Sequence, residues 1–129
     1  ELSRRDIGLI VLAGYMRLLT PVLVEPFYGR MINVHPALLP AFPGIRSVRQ
    51  ALDYGVKITG ATVHFVDGGT DTGPIIAQQA GEVRPDDTEE TLSARVHEAE
   101  HELLPRVVRW IAEGRVTLND RKVTIRHGE

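Results

Sequence analysis

Hydrophobic positions along the chain follow two periods, one typical of strands and one typical of helices. Residues 9–13 form a continuous apolar run, which predicts a parallel strand covered on both faces. Residues 30–34 predict the next strand, and residues 58–66, which alternate and are rich in β-branched side chains, predict another. Residues 74–80 predict an edge strand, because Pro74 cannot donate a hydrogen bond to a neighbouring strand.

Helical periodicity and cap signals predict three helices. Two are short and cover residues 20–28 and 47–54. The longest begins after Asp87, which we expect to be its N-cap, with Glu90 reaching back to complete a capping box. Pro105 predicts a kink within this helix. The apolar stripe of the helix consists of Leu92, Val96, Ala99, Leu103, Val107, Trp110 and Ile111.

The order of these elements predicts the fold class. Residues 116–118 and 123–125 add a terminal hairpin, so the order is strand, helix, strand, helix, strand, strand, helix, hairpin. This order is typical of an α/β fold with a mixed, largely parallel sheet flanked by helices. The chain has 129 residues, of which 43% are hydrophobic and 25% charged, and it fits a single domain over residues 1–129.

Composition and charge weigh against several function classes. The formal net charge of -2 gives no electrostatic case for binding nucleic acid or an anionic membrane surface. No apolar run approaches the length of a membrane span, and no phosphate-binding glycine motif is present. The absence of cysteine excludes disulfides, thiolate metal sites and cysteine nucleophiles, and is compatible with the cytoplasm.

Asn33 and His35 carry the strongest chemical signal. They lie two residues apart at the end of a predicted strand, so their side chains project from the same face. Pro36 ends the strand, and the proline-containing loop after it is stiff enough to hold a site in place. An amide can hold a developing oxyanion and an imidazole can transfer a proton near neutral pH, which indicates chemistry on a carbonyl. The alternative is a structural polar pair packed against the loop.

A glycine-rich stretch over residues 67–74 is the second candidate. Three glycines in eight residues permit unusual dihedral angles and a close approach to a ligand. If this loop faces His35, Asp71 can pair with the imidazole and orient the ring. Taken alone, the stretch is equally compatible with a turn that carries solvated acids. His64, in the preceding strand, is interpreted as a partly buried structural histidine.

The stretch from His97 to His101 matches the H-E-x-x-H pattern of zinc hydrolases, in which two histidines share a helix face. Glu100 adds a charge inside the motif, and the third histidine of the extended protease pattern is missing. We therefore keep a zinc hydrolase as a remote alternative, beside a solvated helix face of acids and imidazoles, and expect no metal.

Several motifs together resemble one enzyme family. They are Asn33-Val34-His35-Pro36-Ala37-Leu38-Leu39-Pro40, Pro43-Gly44, Thr62-Val63-His64-Phe65-Val66 and Asp71-Thr72-Gly73-Pro74-Ile75-Ile76. In this order, between about Ile7 and Trp110, they are similar to the folate-dependent formyltransferases, and most closely to the branch of purine biosynthesis. Pro36 and Pro43-Gly44 favour that branch over the methionyl-tRNA formyltransferases and the formyltetrahydrofolate hydrolases, which are the nearest alternatives.

The resemblance implies a Rossmann-like fold and a reaction without a metal. A formyl group passes from the co-substrate 10-formyltetrahydrofolate to the amine of glycinamide ribonucleotide, in de novo purine biosynthesis. Asn33 then stabilises the oxyanion, His35 is the general acid, and Asp71 supports His35 and relays a proton. The resemblance further implies folate binding by Met16, Arg17, Leu18, Leu19, Asn33, Asp67, Gly68, Gly69, Thr70 and Asp71, and ribonucleotide binding by His97, Glu98, Ala99 and Glu100.

Members of this family carry an N-terminal β-α-β region with a phosphate-binding turn before the stretch that matches Leu9. We therefore expect the chain to be the C-terminal two-thirds of such a protein, to bind the ribonucleotide weakly or not at all, and to turn over slowly if at all. We also expect it to expose a sheet edge or an apolar face. A homodimer would cover that surface. The expected partners are the two small-molecule substrates, with no nucleic acid and no membrane, and the expected location is the cytoplasm.

Overall fold

The computed structural model describes residues 10–11, 31–67, 69 and 71–126. Their elements are β1 (Ile10–Val11), β2 (Met31–His35), α1 (Ser47–Tyr54), β3 (Ile58–Phe65), β4 (Ile75–Glu82), α2 (Glu89–Ala112), β5 (Val116–Asn119) and β6 (Lys122–Ile125). The predicted order is confirmed over these residues. The helix predicted over residues 20–28 lies outside them.

Strands β1 to β4 form one sheet in chain order. β1 and β2 are parallel, whereas β2 pairs antiparallel with β3, and β3 pairs antiparallel with β4. The sheet is mixed, as predicted, but the described strands are more antiparallel than expected. For β3 and β4 the reason is their short, glycine-rich connection, because a parallel neighbour requires a longer crossover.

One face of the sheet packs on α2 and forms the main core. Alternate residues of β2 and β3 point toward the helix, as a period of two requires. The helix contributes the side chains that its apolar stripe predicted, and a smaller cluster joins α1 to the first turns of α2. The centre of the main core consists of Ile32, Val34, Ala61, Val63, Phe65, Ile76, Leu103 and Val107.

The other face of the sheet carries buried polar side chains. The register of β2 and β3 places Asn33 opposite His64 and His35 opposite Thr62. Residues directly opposite each other in an antiparallel pair share a face, so these four side chains lie together. All four are less than 5% exposed. Buried polar groups need partners, and the loop after β2 supplies partners for His35 and Thr62.

Helix α2 begins one residue later than the sequence predicts. Its N-cap is Thr88, whose hydroxyl accepts a hydrogen bond from the backbone N–H of Thr91, and Thr91 Oγ1 accepts one from the backbone N–H of Thr88. The predicted capping box of Asp87 and Glu90 is therefore wrong. Asp87 instead accepts two hydrogen bonds from the Arg95 guanidinium, at 2.7 and 2.9 Å, which hold the pKa of its carboxyl well below the usual range. The carboxylate that was expected to cap the helix therefore binds an arginine side chain instead.

The end of helix α2 and the terminal hairpin follow the prediction, whereas the kink at Pro105 stays a prediction. Helix α2 continues through Pro105 to Ala112, and Gly114 takes up a left-handed conformation with φ 71° just beyond it. The hairpin of β5 and β6 then packs beside the core. Neither of the two helices in the described residues has the length and apolar character that a bilayer span requires.

Candidate active site

The loop after β2, residues 36–46, is fastened to the polar face of the sheet and is called the proline loop below. The Thr62 hydroxyl donates a hydrogen bond to the Ala37 carbonyl at 2.7 Å and accepts one from the Leu39 N–H at 3.0 Å. The amide of Gln78 donates to the Leu39 carbonyl at 2.8 Å and to Thr62 Oγ1 at 3.0 Å. Thr62 thus uses its one proton and both lone pairs, and holds the start of the loop in a single position.

We expect Thr62→Val to destabilise the protein by about 2 kcal/mol or more, because it removes a fully buried hydroxyl and leaves the Ala37 carbonyl and the Leu39 N–H, both in buried residues, without that partner. Thr62→Ser keeps the hydroxyl and loses one methyl group, so it should cost only about 1 kcal/mol. Urea unfolding of the two variants measures both values. Equal losses in Val and Ser variants would contradict the role of the hydroxyl.

The His35 side chain is fully buried and has a defined orientation. Its Nε2 lies 2.9 Å from the carbonyl oxygen of Phe42 and 2.9 Å from Oγ of Ser47. A carbonyl oxygen only accepts hydrogen bonds, so Nε2 carries a proton. The other ring nitrogen, Nδ1, has no hydrogen-bond partner among the described residues and lies 3.5 Å from Oδ2 of Asp71. The ring therefore presents Nδ1 toward the carboxylate.

Asp71 lies between the two buried histidines. Its Oδ2 accepts a hydrogen bond of 2.7 Å from the N–H of Gly44 in the proline loop, and its Oδ1 lies 3.7 Å from Nε2 of His64. The Asp71 side chain is 6% exposed, so the carboxylate acts in a largely dehydrated environment where its charge is felt strongly. The sequence-based expectation that Asp71 approaches His35 is met by this geometry.

The described residues of the loop that carries Asp71, namely 67, 69 and 71–73, are joined by hydrogen bonds to one another and to the terminal hairpin. Asp67 Oδ1 accepts hydrogen bonds from the Gly69 N–H at 2.9 Å and from the Thr72 hydroxyl at 2.7 Å. Arg121, in the turn between β5 and β6, donates a hydrogen bond to the Thr72 carbonyl at 2.6 Å. These contacts fix the backbone on both sides of Asp71, which itself has a left-handed φ of 57°.

Three buried polar atoms lack a hydrogen-bond partner within the described parts of the chain. They are Asn33 Oδ1, His35 Nδ1 and His64 Nε2. Nearly all buried polar atoms in proteins are paired, so three unpaired atoms on one sheet face beside one carboxylate mark a place where a bound molecule completes the network. As placed, the amide oxygen and the two ring nitrogens are acceptors, so a molecule bound here would donate hydrogen bonds or a proton to them.

His64 is closer to this site than the sequence indicated. It was interpreted as a partly buried structural histidine, whereas it is 3% exposed and its Nε2 faces Asp71. Its Nδ1 donates to the Phe65 carbonyl at 2.8 Å, which leaves Nε2 as an acceptor in the neutral ring. His64 lies two residues after Thr62 in β3, so the two side chains share a face. This spacing indicates that His64 belongs to the site once the register against β2 is known.

Burial lowers the pKa of His64 below 6.5, and the hydrogen bond to the Phe65 carbonyl offsets this only in part. Below pH 6.5 the unfolded chain binds a proton at His64 that the folded protein does not bind, so the stability from this group is lost as the pH falls. We expect the melting temperature to decrease between pH 6.5 and 5, and His64→Gln to flatten that decrease. The matched control is His101→Gln, at an exposed position. Identical pH profiles for the wild type and His64→Gln would contradict this.

The predicted ribonucleotide-binding residues occupy helix α2, and they divide into two environments. Glu100 is mostly buried, and burial raises the pKa of its carboxyl; its ion pair with His97, with Nδ1 and Oε1 3.2 Å apart, and the charge of His35 act in the opposite direction. Glu98 is exposed, and Ala99 packs against the core. Glu100 is therefore the member of this set that is electrostatically coupled to His35.

The zinc alternative finds no support in the geometry of this helix. The rings of His97 and His101 lie with centroids 4.3 Å apart, and His97 is engaged with Glu100. Over the described residues, no group of three or more histidines, aspartates and glutamates is placed to hold a metal ion.

Several predicted folate-binding residues cannot be compared with the structure. Met16, Arg17, Leu18, Leu19, Gly68 and Thr70 lie outside the described residues. Of the others, Asp67 closes its loop, Gly69 is exposed beside it, and Asn33 and Asp71 line the site. Ser47 and Thr62 are the buried polar residues of this region that the sequence did not single out.

Known proteins match the chain in sequence and in structure. It is 52% identical over 111 residues to the phosphoribosylglycinamide formyltransferase of Bacillus subtilis. The aligned residues cover 86% of this chain and 57% of that protein. The crystal structure of phosphoribosylglycinamide formyltransferase from Anaplasma phagocytophilum has a TM-score of 0.92 at 39% identity, over 98% of this chain and 61% of the other. The chain thus spans little more than half the length of these relatives.

A second activity is represented among the similar structures. A formyltetrahydrofolate deformylase from Pseudomonas syringae has a TM-score of 0.88 at 36% identity, over 93% of this chain and 40% of the other. The model of the formyl transferase family matches residues 1–108. This match over most of the sequence, together with the relatives above, shows that the chain belongs to the formyl transferase family.

Proposed function

We propose that the protein transfers a formyl group from 10-formyltetrahydrofolate to the amine of glycinamide ribonucleotide, a step of purine biosynthesis. The observation that carries this proposal is the set of unpaired buried atoms of Asn33, His35 and His64 around the Asp71 carboxylate. Formyl transfer between two nitrogens requires an oxyanion donor, an acid for the leaving nitrogen and a base for the attacking amine. The site contains each of these groups.

The chemistry follows from these groups. The amine attacks the formyl carbon, and the carbonyl oxygen becomes an oxyanion that the Asn33 amide can stabilise once its NH₂ is turned toward it. Asp71 takes a proton from the amine as it becomes an ammonium group and passes it to Nδ1 of His35, which lies 3.5 Å from its Oδ2. Nδ1 then gives this proton to N10 as the bond between N10 and the formyl carbon breaks. The net result is one new C–N bond, one broken C–N bond and one proton moved between nitrogens. Proton transfer and oxyanion stabilisation each contribute about 10²- to 10⁴-fold in rate.

The binding residues remain proposals. We assign folate binding to Met16, Arg17, Leu18, Leu19, Asn33, Asp67, Gly68, Gly69, Thr70 and Asp71, and ribonucleotide binding to His97, Glu98, Ala99 and Glu100. Support for the second group comes from Glu100, because a mostly buried carboxylate near the site is a good acceptor for ribose hydroxyls. Action in the cytoplasm and formation of a homodimer also stay predictions.

Hydrolysis of 10-formyltetrahydrofolate is the second candidate function, and the similarity to a deformylase favours keeping it. The same oxyanion donor and the same acid would serve, with water in place of the amine. The two reactions differ in one product, since transfer formylates the ribonucleotide and hydrolysis releases formate.

The test is incubation with 10-formyltetrahydrofolate, with and without glycinamide ribonucleotide. We expect tetrahydrofolate and formylated ribonucleotide to appear in equal amounts by mass spectrometry, and only when the amine is present. Formate release without the amine would establish the hydrolase instead. Calorimetry with tetrahydrofolate measures binding independently of the reaction. Asp86→Asn, at an exposed position, is the matched control for the Asp71→Asn variant. Absence of both reactions together with absence of tetrahydrofolate binding would contradict the proposal.

A further inference from the structure

We propose that Ser47 is a positioning residue for His35. Together with the Phe42 carbonyl, its hydroxyl keeps a proton on Nε2 of His35. Nδ1 is then the ring nitrogen that gains and loses a proton. The inference deepens the proposed function and rests on it for the reaction, but its structural part is tested separately. Ser47 is the first residue of α1 and is 3% exposed, so its hydroxyl acts inside the protein and not in solvent.

The hydrogen-bond geometry determines which ring nitrogen is protonated. The Ser47 hydroxyl donates to the Gly44 carbonyl at 3.2 Å, which leaves its lone pairs to face Nε2 of His35 at 2.9 Å. The Phe42 carbonyl oxygen faces the same nitrogen at 2.9 Å. Nε2 therefore meets two acceptors. With the proton on Nδ1 instead, the lone pair of Nε2 would point at a carbonyl oxygen, an unfavourable contact in a buried site.

The two ring nitrogens of His35 therefore have different and fixed roles. Nε2 carries its proton in both the neutral and the charged ring, so the proton that comes and goes is the one on Nδ1. Nδ1 is also the nitrogen without a partner and the one 3.5 Å from Asp71. A histidine held in one tautomer needs no reorientation when it transfers a proton.

The same hydroxyl also connects His35 to Asp71. Gly44 accepts the Ser47 hydrogen bond at its carbonyl and donates its N–H to Asp71 Oδ2 at 2.7 Å. Gly44 has a φ of 90°, a backbone conformation that residues other than glycine rarely adopt. The two hydrogen bonds therefore hold a peptide whose conformation favours glycine. Ser47 therefore sets the position of both the ring and the carboxylate through one segment of backbone.

The experiment measures the tautomer of His35 directly, by the ¹⁵N chemical shifts of its ring nitrogens in the folded protein at alkaline pH. We expect wild type to show a single Nε2–H form. Ser47→Ala leaves the Phe42 carbonyl as the one acceptor at Nε2 and frees the Gly44 peptide, so we expect both ring ¹⁵N signals to shift and part of the population to take the Nδ1–H form. Ser47→Thr, which keeps the hydroxyl, should restore the wild-type shifts. Ser93→Ala on α2 is the matched control. Should Ser47→Ala not fold, Ser47→Cys keeps the volume with a much weaker acceptor.

Activity gives the second readout. We expect kcat of formyl transfer to fall about tenfold in Ser47→Ala with KM for the folate nearly unchanged, and to recover in Ser47→Thr. Unchanged ring shifts in a folded Ser47→Ala protein, or no recovery in Ser47→Thr, would overturn the inference. A tautomer change in a protein that shows no formyl transfer would support the positioning role and refute the proposed function, so the two failures are distinguishable.

Discussion

Replacing His35 with glutamine is expected to lower the rate of formyl transfer by about 10²- to 10⁴-fold, the usual contribution of a positioned acid. Glutamine has a similar length and keeps polar atoms in the buried site, but it cannot give a proton to N10. The chain should therefore remain folded while the chemical step is lost. Single-turnover measurement of formylated ribonucleotide separates this step from product release.

Two comparisons make the result specific to His35. His101→Gln changes an exposed histidine of α2 and should leave the rate within about twofold, as surface changes usually do. Asp71→Asn keeps an oxygen for the Gly44 N–H and removes the charge beside Nδ1. Because the two groups act on one proton path, the double variant should lose little more than the worse single variant. A fully additive loss, or an active His35→Gln protein, would contradict the proposed mechanism.

The part of the site that follows from local sequence was predictable. Asn33 and His35 share a face because a strand alternates, and Pro36 ends the strand at His35. Asp71 could be selected because acids in glycine-rich loops are free to approach a site, although the sequence alone left a plain turn equally open. These inferences depend only on residues that lie within a few positions of each side chain in the sequence.

The part that was missed depends on contacts between distant segments. A slip of one residue in the pairing of β2 and β3 would move His64 from the polar face to the helix face, and the sequence does not give that register. Ser47 resembles an ordinary helix start, and its contact with His35 exists only because the proline loop folds back over the strand end. The predicted cap at Asp87 failed because Arg95, eight residues later, binds the carboxylate more strongly.

The Asp71 position depends on Gly73, because no larger residue fits there. A Cβ at Gly73 would overlap the backbone carbonyl oxygen of Phe65 in β3, and a backbone atom within a sheet cannot move aside as a flexible side chain can. The next residue, Pro74, is fully buried, and its carbonyl accepts a hydrogen bond of 2.9 Å from the Phe65 N–H. The chain is thus held to β3 on the C-terminal side of Gly73, so relief of the clash should displace its N-terminal side, which carries Asp71.

We therefore expect Gly73→Ala to destabilise the protein by about 3 kcal/mol or more and to abolish formyl transfer. Gly81→Ala is the matched control in β4, since its Cβ would meet only the Thr59 carbonyl oxygen at 4.0 Å. That change should cost less than about 1 kcal/mol, because alanine also reduces the freedom of the unfolded chain. Urea unfolding compares the two, and amide NMR spectra follow the loop around Asp71. Equal stability of the two variants would show that the loop yields without cost, and that the carboxylate is not held as the structure indicates.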